Sequence, residues 1–339
     1  MKILVTGSQG FIPGYIVEEF LEGGHSVVGI DNYSKYGFVE KNYDKHPNFT
    51  LVKGDVKDTN LLKELVEDCD QVVAAAAMVG GITYNHQYPF DILIENEEIT
   101  TSTFNAALWA FRNKHLKKIN IISSSMVFEN SHTDLTKEGD QLLCPPALLT
   151  YGFQKLASEY FAISAFNQHK LPYTIIRACN CIGIGEQKTL CEGEVPSGSV
   201  NIGMIHVIPD LVQKILRGQD PLHILGDGNQ VRQYTYGGDF AKGVLLCIES
   251  EKSINEDFNI STERETTVKE LATLIWKKIK GDKPIRFVHD KSVEYDVQRR
   301  VLSVEKAKRV LGFEATTEID TVLDEIIPWV ENQIKLGNI

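Results

Sequence analysis

The stretch Val5-Thr6-Gly7-Ser8-Gln9-Gly10-Phe11-Ile12-Pro13-Gly14 continues an apolar run that begins at Lys2, and it reads as a strand, a tight turn and a helix start. Gly7 and Gly10 stand where a side chain would hold the backbone away from a pyrophosphate. A helix opening at Phe11 aims its unpaired amides and positive dipole end at that anion. Asp31 closes a second apolar strand, Ser26 to Ile30, 21 residues after Gly10. A carboxylate there accepts hydrogen bonds from an adenosine ribose and repels a 2′-phosphate, which favours NAD over NADP. Pro13 replaces the third glycine of the fingerprint, and Gly14 comes one place late. Proline is tolerated in a first helical turn, where its missing N–H would be unpaired anyway. Close packing of this helix on the sheet is left open.

Outward from that turn, apolar β-runs alternate with helical patterns: Lys2 to Thr6, Ser26 to Ile30, Thr50 to Lys53, Gln71 to Ala75, Lys118 to Ser123 and Tyr173 to Arg177. Strands separated by helix-length segments predict an α/β fold, a Rossmann-type doubly wound parallel sheet. Its ligands sit at the carboxyl ends of the strands. Phe104, Ala107, Leu108 and Phe111 keep the i, i+3, i+4, i+7 spacing of a helix face. From Cys181 to about Gly203 the chain is rich in glycine and polar residues and reads as a long loop, followed by a helix from Pro209 to Arg217. Helical patterns over Val268 to Lys280, Ser303 to Leu311 and Ile319 to Gln333 predict a smaller C-terminal α/β substrate-binding lobe. The division expected is residues 1–176 as the NAD-binding domain, with 233–259 returning to it, and 177–232 with 260–339 as the lobe.

At 339 residues, 42% of them hydrophobic, the chain is long enough for a large core and for more than one compact unit. No stretch approaches a membrane span and the first strand begins at Ile3, so a cytoplasmic enzyme without a signal peptide is expected. The net charge of −11 argues against nucleic acid and anionic lipid as partners. An anionic substrate must then be met by a few local arginines. Six cysteines, at 69, 144, 179, 181, 191 and 247, form no CxxC pair and match no histidine spacing. No metal site or disulfide framework is expected, and Cys179, Cys181 and Cys191 read as packing thiols near the site.

Tyr151 and Lys155 stand at i, i+4 on one helix face. A free tyrosine titrates near ~10, so service as a base at neutral pH requires the phenolate to be stabilised by about 3–4 kcal/mol. An adjacent ammonium and a cationic nicotinamide ring can supply that. Ser123-Ser124-Ser125 follows the strand ending at Ile122 and can place a hydroxyl beside Tyr151, although serine at a strand end is also an ordinary turn former.

In their order these pieces resemble the extended short-chain dehydrogenase/reductase family, specifically its NAD-dependent nucleotide-sugar epimerases and dehydratases, over nearly the whole chain. The TGxxGFI turn matches at Thr6 to Ile12, the acidic ribose residue at Asp31-Asn32, and the GDV adenine contact at Gly54 to Val56. The cofactor-side alanines match at Ala74 to Ala77, the helix asparagine at Asn96, and the Ser-x-x-Val-aromatic motif at Ser124 to Phe128. YxxxK follows at Tyr151 to Lys155, R-x-x-N at Arg177 to Asn180, and GDGxQxR at Gly226 to Arg232. The resemblance implies catalysis by Tyr151, Lys155, Ser124 and Ser125. It implies NAD contacts at Gly7, Gly10, Phe11, Ile12, Asp31, Asn32, Asp55, Val56, Ala75, Asn96, Tyr151 and Lys155. Substrate contacts are implied at Gly80, Gly81, Asn180, Val207, Arg232 and Arg299, the last as a second phosphate-binding arginine with Arg300 as its register alternative. A homodimer paired through helices near Asn96 to Arg112 and Tyr151 to Ala165 is also implied, with Phe104, Leu108, Phe111, Leu156, Tyr160 and Phe161 on their faces, residues that equally suit a core.

Within the family, dehydratases carry an Asp-Glu pair after the Ser/Thr, where this chain has Ser125 and Met126. Decarboxylases often carry a glutamate at the place of Met126. The segment Met78 to Ile82, with Tyr88-Pro89 and Asn96, resembles GDP-fucose synthases and GDP-mannose 3,5-epimerases, whose catalytic cysteine is also replaced by Met126. Elimination leaves an NAD-dependent nucleotide-sugar epimerase acting at C4 through a transient 4-keto sugar, which needs no further acid. The alternatives are a C4 oxidoreductase, dehydratase or decarboxylase of the same family, with Glu129, Glu186 or Cys191 brought in by a loop. A non-catalytic NAD-binding sensor is the alternative of another class, against which Tyr151 and Lys155 argue.

Overall fold

The computed structural model describes residues 1–145, 147–186, 206–291 and 297–338, apart from the side chains of residues 82 and 83. Seven parallel strands form the central sheet: β1 (Lys2–Thr6), β2 (Ser26–Asp31), β3 (Phe49–Lys53), β4 (Gln71–Ala74), β5 (Lys118–Ser124), β6 (Tyr173–Ala178) and β11 (Glu256–Ile260). Their order across the sheet is β11-β6-β5-β4-β1-β2-β3. The order reverses at β1, and a doubly wound sheet binds its ligand at such a reversal. Strand alternation explains the unbroken apolar runs: Ile3 and Val5 enter one core while Leu4 enters the other. Both faces are covered, as a parallel sheet requires.

On one face lie α1 (Phe11–Glu22), α7 (Gly237–Glu249) and α9 (Glu305–Leu311); on the other lie α2 (Thr59–Val66), α4 (Pro89–Asn113) and α5 (Thr150–His169). The short α3 (Ile82–Gln87) precedes α4. Pro13 does not loosen α1: it is buried in the first turn, and Ile16, Val17 and Phe20 are fully buried against the sheet. Phe104 packs on Phe161 with ring centroids 5.6 Å apart, so these two belong to the core between α4 and α5.

The lobe is built from three small sheets. They pair β7 (Cys181–Ile182) with β10 (Thr235–Tyr236), β8 (Leu222–Leu225) with β13 (Phe287–Asp290), and β9 (Val231–Gln233) with both β12 (Glu265–Thr267) and β14 (Arg299–Arg300). Helices α6 (Val207–Leu216), α8 (Val268–Lys280) and α10 (Ile319–Leu336) close around a third core that includes Leu211, Ile275 and Leu323. Of the loop expected from Cys181 to Gly203, Cys181 and Ile182 pair as β7, and residues 187–203, with Cys191, lie outside the described residues. Among the described residues no helix is long and apolar enough to cross a membrane.

Tyr15 joins the two halves. Its hydroxyl accepts from Ile184 N at 2.9 Å, and its ring meets Phe11 and Tyr236 edge-on at 5.8 and 5.6 Å. A buried charge cluster ties the far edge of the sheet to α5. Arg177 of β6 bonds Glu159 through Nε and Nη2, both at 2.8 Å, and Asp257 of β11 at 2.7 Å.

Candidate active site

A cavity of about 1260 Å³ runs from the carboxyl ends of the central strands into the lobe. At the sheet end it is lined by Gly7, Gly10, Phe11, Ile12, Asp31, Asn32, Asp55, Val56 and Ala75, the turn residues that sequence pattern places after β1 to β4. Gly7 has φ +69°, and a Cβ there would stand 2.9 Å from Ala76 Cα, so neither the conformation nor the space admits another residue. Gly10 caps α1 without a side-chain acceptor, which leaves the first-turn N–H groups for a ligand in the cavity. Asp31 accepts from Gln9 N at 3.0 Å through Oδ2 and from Tyr33 N at 2.7 Å through Oδ1. Each oxygen keeps a lone pair for a ribose hydroxyl. Burial pushes the Asp31 carboxyl up, and those two backbone bonds pull against it. The glycine cradle, the open helix end and the carboxylate fit a dinucleotide.

Asn96 lies elsewhere. It is buried behind the cavity wall, accepting from Met78 N at 2.7 Å and donating to Met78 O at 2.9 Å. It therefore acts through the backbone that lines the site rather than by facing the cavity. Beyond Met78 comes Gly80, where a Cβ would meet the Tyr84 ring at 2.6 Å; this close approach explains the glycine. Gly80, Gly81, Tyr84 and Asn85 all line the cavity.

The middle of the cavity is lined by Ser124, Ser125, Met126, Tyr151 and Lys155. Ser124 caps the short turn Ser125–Phe128, its Oγ accepting from Met126 N at 3.2 Å, and Tyr151 falls in the first turn of α5. Lys155 Nζ lies 5.9 Å from the Tyr151 ring centroid and donates to Ile122 O at 3.0 Å. Burial pushes the Lys155 ammonium down to about 8. Burial also pushes the Tyr151 phenol up; a hydrogen bond with Ser124 and the charge of Arg300 pull it down, without overcoming burial.

At the lobe end the cavity is lined by Asn180, Cys181, Val207, Gln230, Arg232, Tyr234 and Arg300. Of the two register alternatives, Arg300 lines the cavity and Arg299 does not. Arg299 forks onto Glu265 at 2.6 and 2.7 Å and is not among the lining residues. Arg300, opposite Arg232 in the β9–β14 register, donates to Asn180 Oδ1 at 2.8 Å and to Met126 Sδ. Asn180 holds a left-handed φ of +37° and donates to Gln233 O at 3.1 Å, which fixes its oxygen toward Arg300. Glu129 accepts from Leu149 N at 3.1 Å just before α5 and does not line the cavity. Glu186 lines it, paired with His206, whose nearby charge and hydrogen bonds outweigh burial and hold the carboxyl below its ordinary value. Sequence reasoning missed Tyr84, Asn85 and Tyr234, ordinary polar residues whose spacing carries no signal.

Residues 3–261 match the family described as NAD dependent epimerase/dehydratase. A putative UDP-glucose 4-epimerase of Methanocaldococcus jannaschii is 29% identical over 336 residues, covering 97% of this chain and 98% of that protein. A UDP-N-acetyl-alpha-D-glucosaminuronate decarboxylase of Bacillus cytotoxicus is 26% identical over 335 residues, 97% of each chain. The crystal structure of UDP-glucose 4-epimerase from Thermotoga maritima with UDP-glucose is similar at a TM-score of 0.80 and 25% identity, covering 98% of this chain and 100% of that one. The glycine turn, the Tyr151–Lys155 helix and the full-length matches converge: this chain belongs to the NAD dependent epimerase/dehydratase family, and NAD is its cofactor.

Proposed function

We propose that this protein epimerises a nucleotide sugar at C4 through a transient 4-keto sugar. The observation that carries the reading is the wall of the cavity beside Tyr151, where Ser125 and Met126 offer no carboxylate. Dehydration needs an acid to expel a hydroxyl, and neither side chain can be one. Tyr151 takes the proton of the C4 hydroxyl, Ser124 shares that oxygen's hydrogen bonding, and Lys155 remains an ammonium at neutral pH beside the phenol ring. Bound NAD supplies the hydride acceptor and donor, together with a positive ring that offsets the burial of the phenolate. The ketosugar then presents its other face, and Tyr151 returns the proton to O4. Arg232 and Val207 hold the nucleotide diphosphate portion in the lobe. Asp31, Asn32, Asp55 and Val56 hold the adenosine end of the cofactor, with residues 1–176 and 233–259 as its domain.

Decarboxylation is the second reading, because a UDP-N-acetyl-alpha-D-glucosaminuronate decarboxylase and UDP-glucuronic acid decarboxylases are among the relatives. Both readings are tested by incubating the NAD-loaded protein with a panel of nucleotide sugars and analysing the products by mass and chromatography. A C4 epimer of unchanged mass supports the first, and loss of carbon dioxide the second. Recovery of every sugar unchanged overturns both and leaves the NAD-binding sensor. We place the enzyme in the cytoplasm as a homodimer paired through α4 near Asn96 to Arg112 and through α5, which carries the exposed Phe153 and Tyr160.

A further inference from the structure

Glu129 is buried beside α5 without entering the cavity, so its carboxyl group meets protein and not sugar. It follows the short turn Ser125–Phe128, and its own N–H donates to Met126 O at 3.1 Å. Its Oε2 accepts from Leu149 N at 3.1 Å, and Leu149 is the residue that opens α5. A helix start is usually completed by serine, threonine, aspartate or asparagine in that place, whose side chain takes a first-turn N–H. Leucine has no such group, and α5 has no side-chain cap of its own. Leu149 is also buried, and a buried backbone N–H needs a partner. A carboxylate from 20 residues upstream provides one.

The same carboxylate lies over the first turn of α5. A Cβ on Gly152 would stand 3.3 Å from Glu129 Oε2 and 2.7 Å from Met126 O, so the glycine after Tyr151 lets the turn and the helix close on each other. Negative charge at this end of α5 also suits the helix dipole. Burial pushes the Glu129 carboxyl up, while bonds from Leu149 and Leu148 and the charges of Arg300 and His86 pull against it. The two elements that Glu129 joins are the ones that carry the chemistry. Ser124 caps the turn and bonds Tyr151, which is the second residue of α5. The separation of turn and helix therefore sets the contact between the two hydroxyls.

We propose that Glu129 is a positioning residue for Tyr151: it caps α5 from outside the helix and so holds the phenol at the Ser124 hydroxyl. This rests on the reading of Tyr151 as the base. No proton passes through Glu129.

The test compares Glu129→Leu, which fills similar space without an acceptor, with Glu129→Gln, whose amide oxygen can still accept from Leu149 N. All measurements use the NAD-loaded full chain, and calorimetry of NAD binding checks that each variant is folded. Glu129→Leu is expected to lower kcat ~10- to 100-fold, the cost of misplacing a reacting group by about 1 Å, with Kd for the nucleotide sugar little changed. Glu129→Gln is expected to recover most of that loss. The groups that face the phenol are Ser124, Arg300 and Cys181, with Lys155 on its own helix. The Ser124 bond pulls the phenol down, so releasing it in Glu129→Leu moves the acid limb of turnover to higher pH. Lost packing alone would leave that limb in place. Amide exchange over residues 147–155 needs no substrate and is expected to quicken about 10-fold in Glu129→Leu, the loss of one charge-assisted bond, but little in Glu129→Gln.

Wild-type exchange and an unmoved acid limb in Glu129→Leu would make Glu129 a filler of space and overturn the proposal. Faster exchange with unchanged turnover overturns it too, since the cap then does not position the phenol. So does a glutamine variant that exchanges and turns over like the leucine one. Should Glu129→Leu fail to bind NAD, Glu129→Asp takes its place, because one methylene fewer withdraws the carboxylate from Leu149; wild-type exchange in that variant is equally fatal. If Tyr151→Phe keeps its turnover, or no sugar is converted, the reading of Tyr151 as the base falls. The exchange measurement then decides by itself whether Glu129 holds the start of α5.

Discussion

Lys155 is an ammonium held where ammonium is disfavoured, and its single clear acceptor is Ile122 O. The unfolded chain releases that proton near 10.5 and the folded chain at about 8. Between those values the unfolded state binds more protons, so raising the pH through that window stabilises the fold, and below it the buried charge is a standing penalty. Lys155→Met is therefore expected to stabilise the protein at pH 7 by on the order of 1–3 kcal/mol while turnover falls ~10²-fold or more. The gain should shrink between about pH 8 and 10.5, which urea titrations at several pH values would show. A variant less stable than wild type at pH 7 would mean that the Ile122 bond outweighs desolvation. Tyr151→Phe removes only the ionisable oxygen and should lower turnover ~10²–10⁴-fold with NAD and substrate binding retained, as stopped-time assays and calorimetry can check. Wild-type turnover should also decline on the alkaline side near about pH 8, where Lys155 loses its charge. Asp31→Ala is expected to narrow the preference for NAD over NADP by at least ~10-fold, read from the two dissociation constants, because the carboxylate that repels a 2′-phosphate is gone. At this scale the sequence placed Gly7, Asp31 and Tyr151 correctly on the cavity wall, because each residue type there has few other uses. It left Arg299 and Arg300 as alternatives because adjacent strand residues point to opposite faces and nothing local sets the phase.

The Arg177 cluster joins three elements: β6 supplies the arginine, α5 supplies Glu159 and β11 supplies Asp257. Breaking one partner of a buried pair leaves an uncompensated charge, so Arg177→Met is expected to destabilise the fold by about 3–5 kcal/mol in denaturant titrations. Glu159 lies four residues beyond Lys155 on the same helix, so disorder there should reach the catalytic face and lower turnover as well. Helix α8 was legible to the residue, because Thr267 and Glu270 cap each other at 3.1 and 2.7 Å and fix its start at Val268. The helix expected from Ser303 begins at Glu305, since Leu302 is held extended in a β-bridge with Thr136, a long-range contact that periodicity cannot see. The helix expected from Pro209 begins at Val207; proline in its first turn loses no hydrogen bond and is no barrier to an earlier start.

For the molecule as a whole, sedimentation at micromolar concentration is expected to show a dimer, and a monomer would remove α4 and α5 as the pairing face. The two units interleave along the chain: β1 to β6 build most of the sheet, the lobe begins at β7, and β11 returns to complete the sheet beside β6. A chain ending at Ser250 lacks β11 and the Asp257 partner of Arg177, and it is expected to be digested rapidly by proteases under conditions where the full chain resists. The same interleaving bears on how the protein is made. A nascent chain leaving the ribosome can pair β1 to β6 early, yet the exposed edge of β6 and the half-paired Arg177 must wait until Ile260 has emerged. Synthesis thus passes through a stretch in which an open strand edge and a partly answered charge stand exposed, with the early lobe strands already out. Slow translation between Cys181 and Ile260 should prolong that exposure and favour aggregation, whereas slow translation after Ile260 should not.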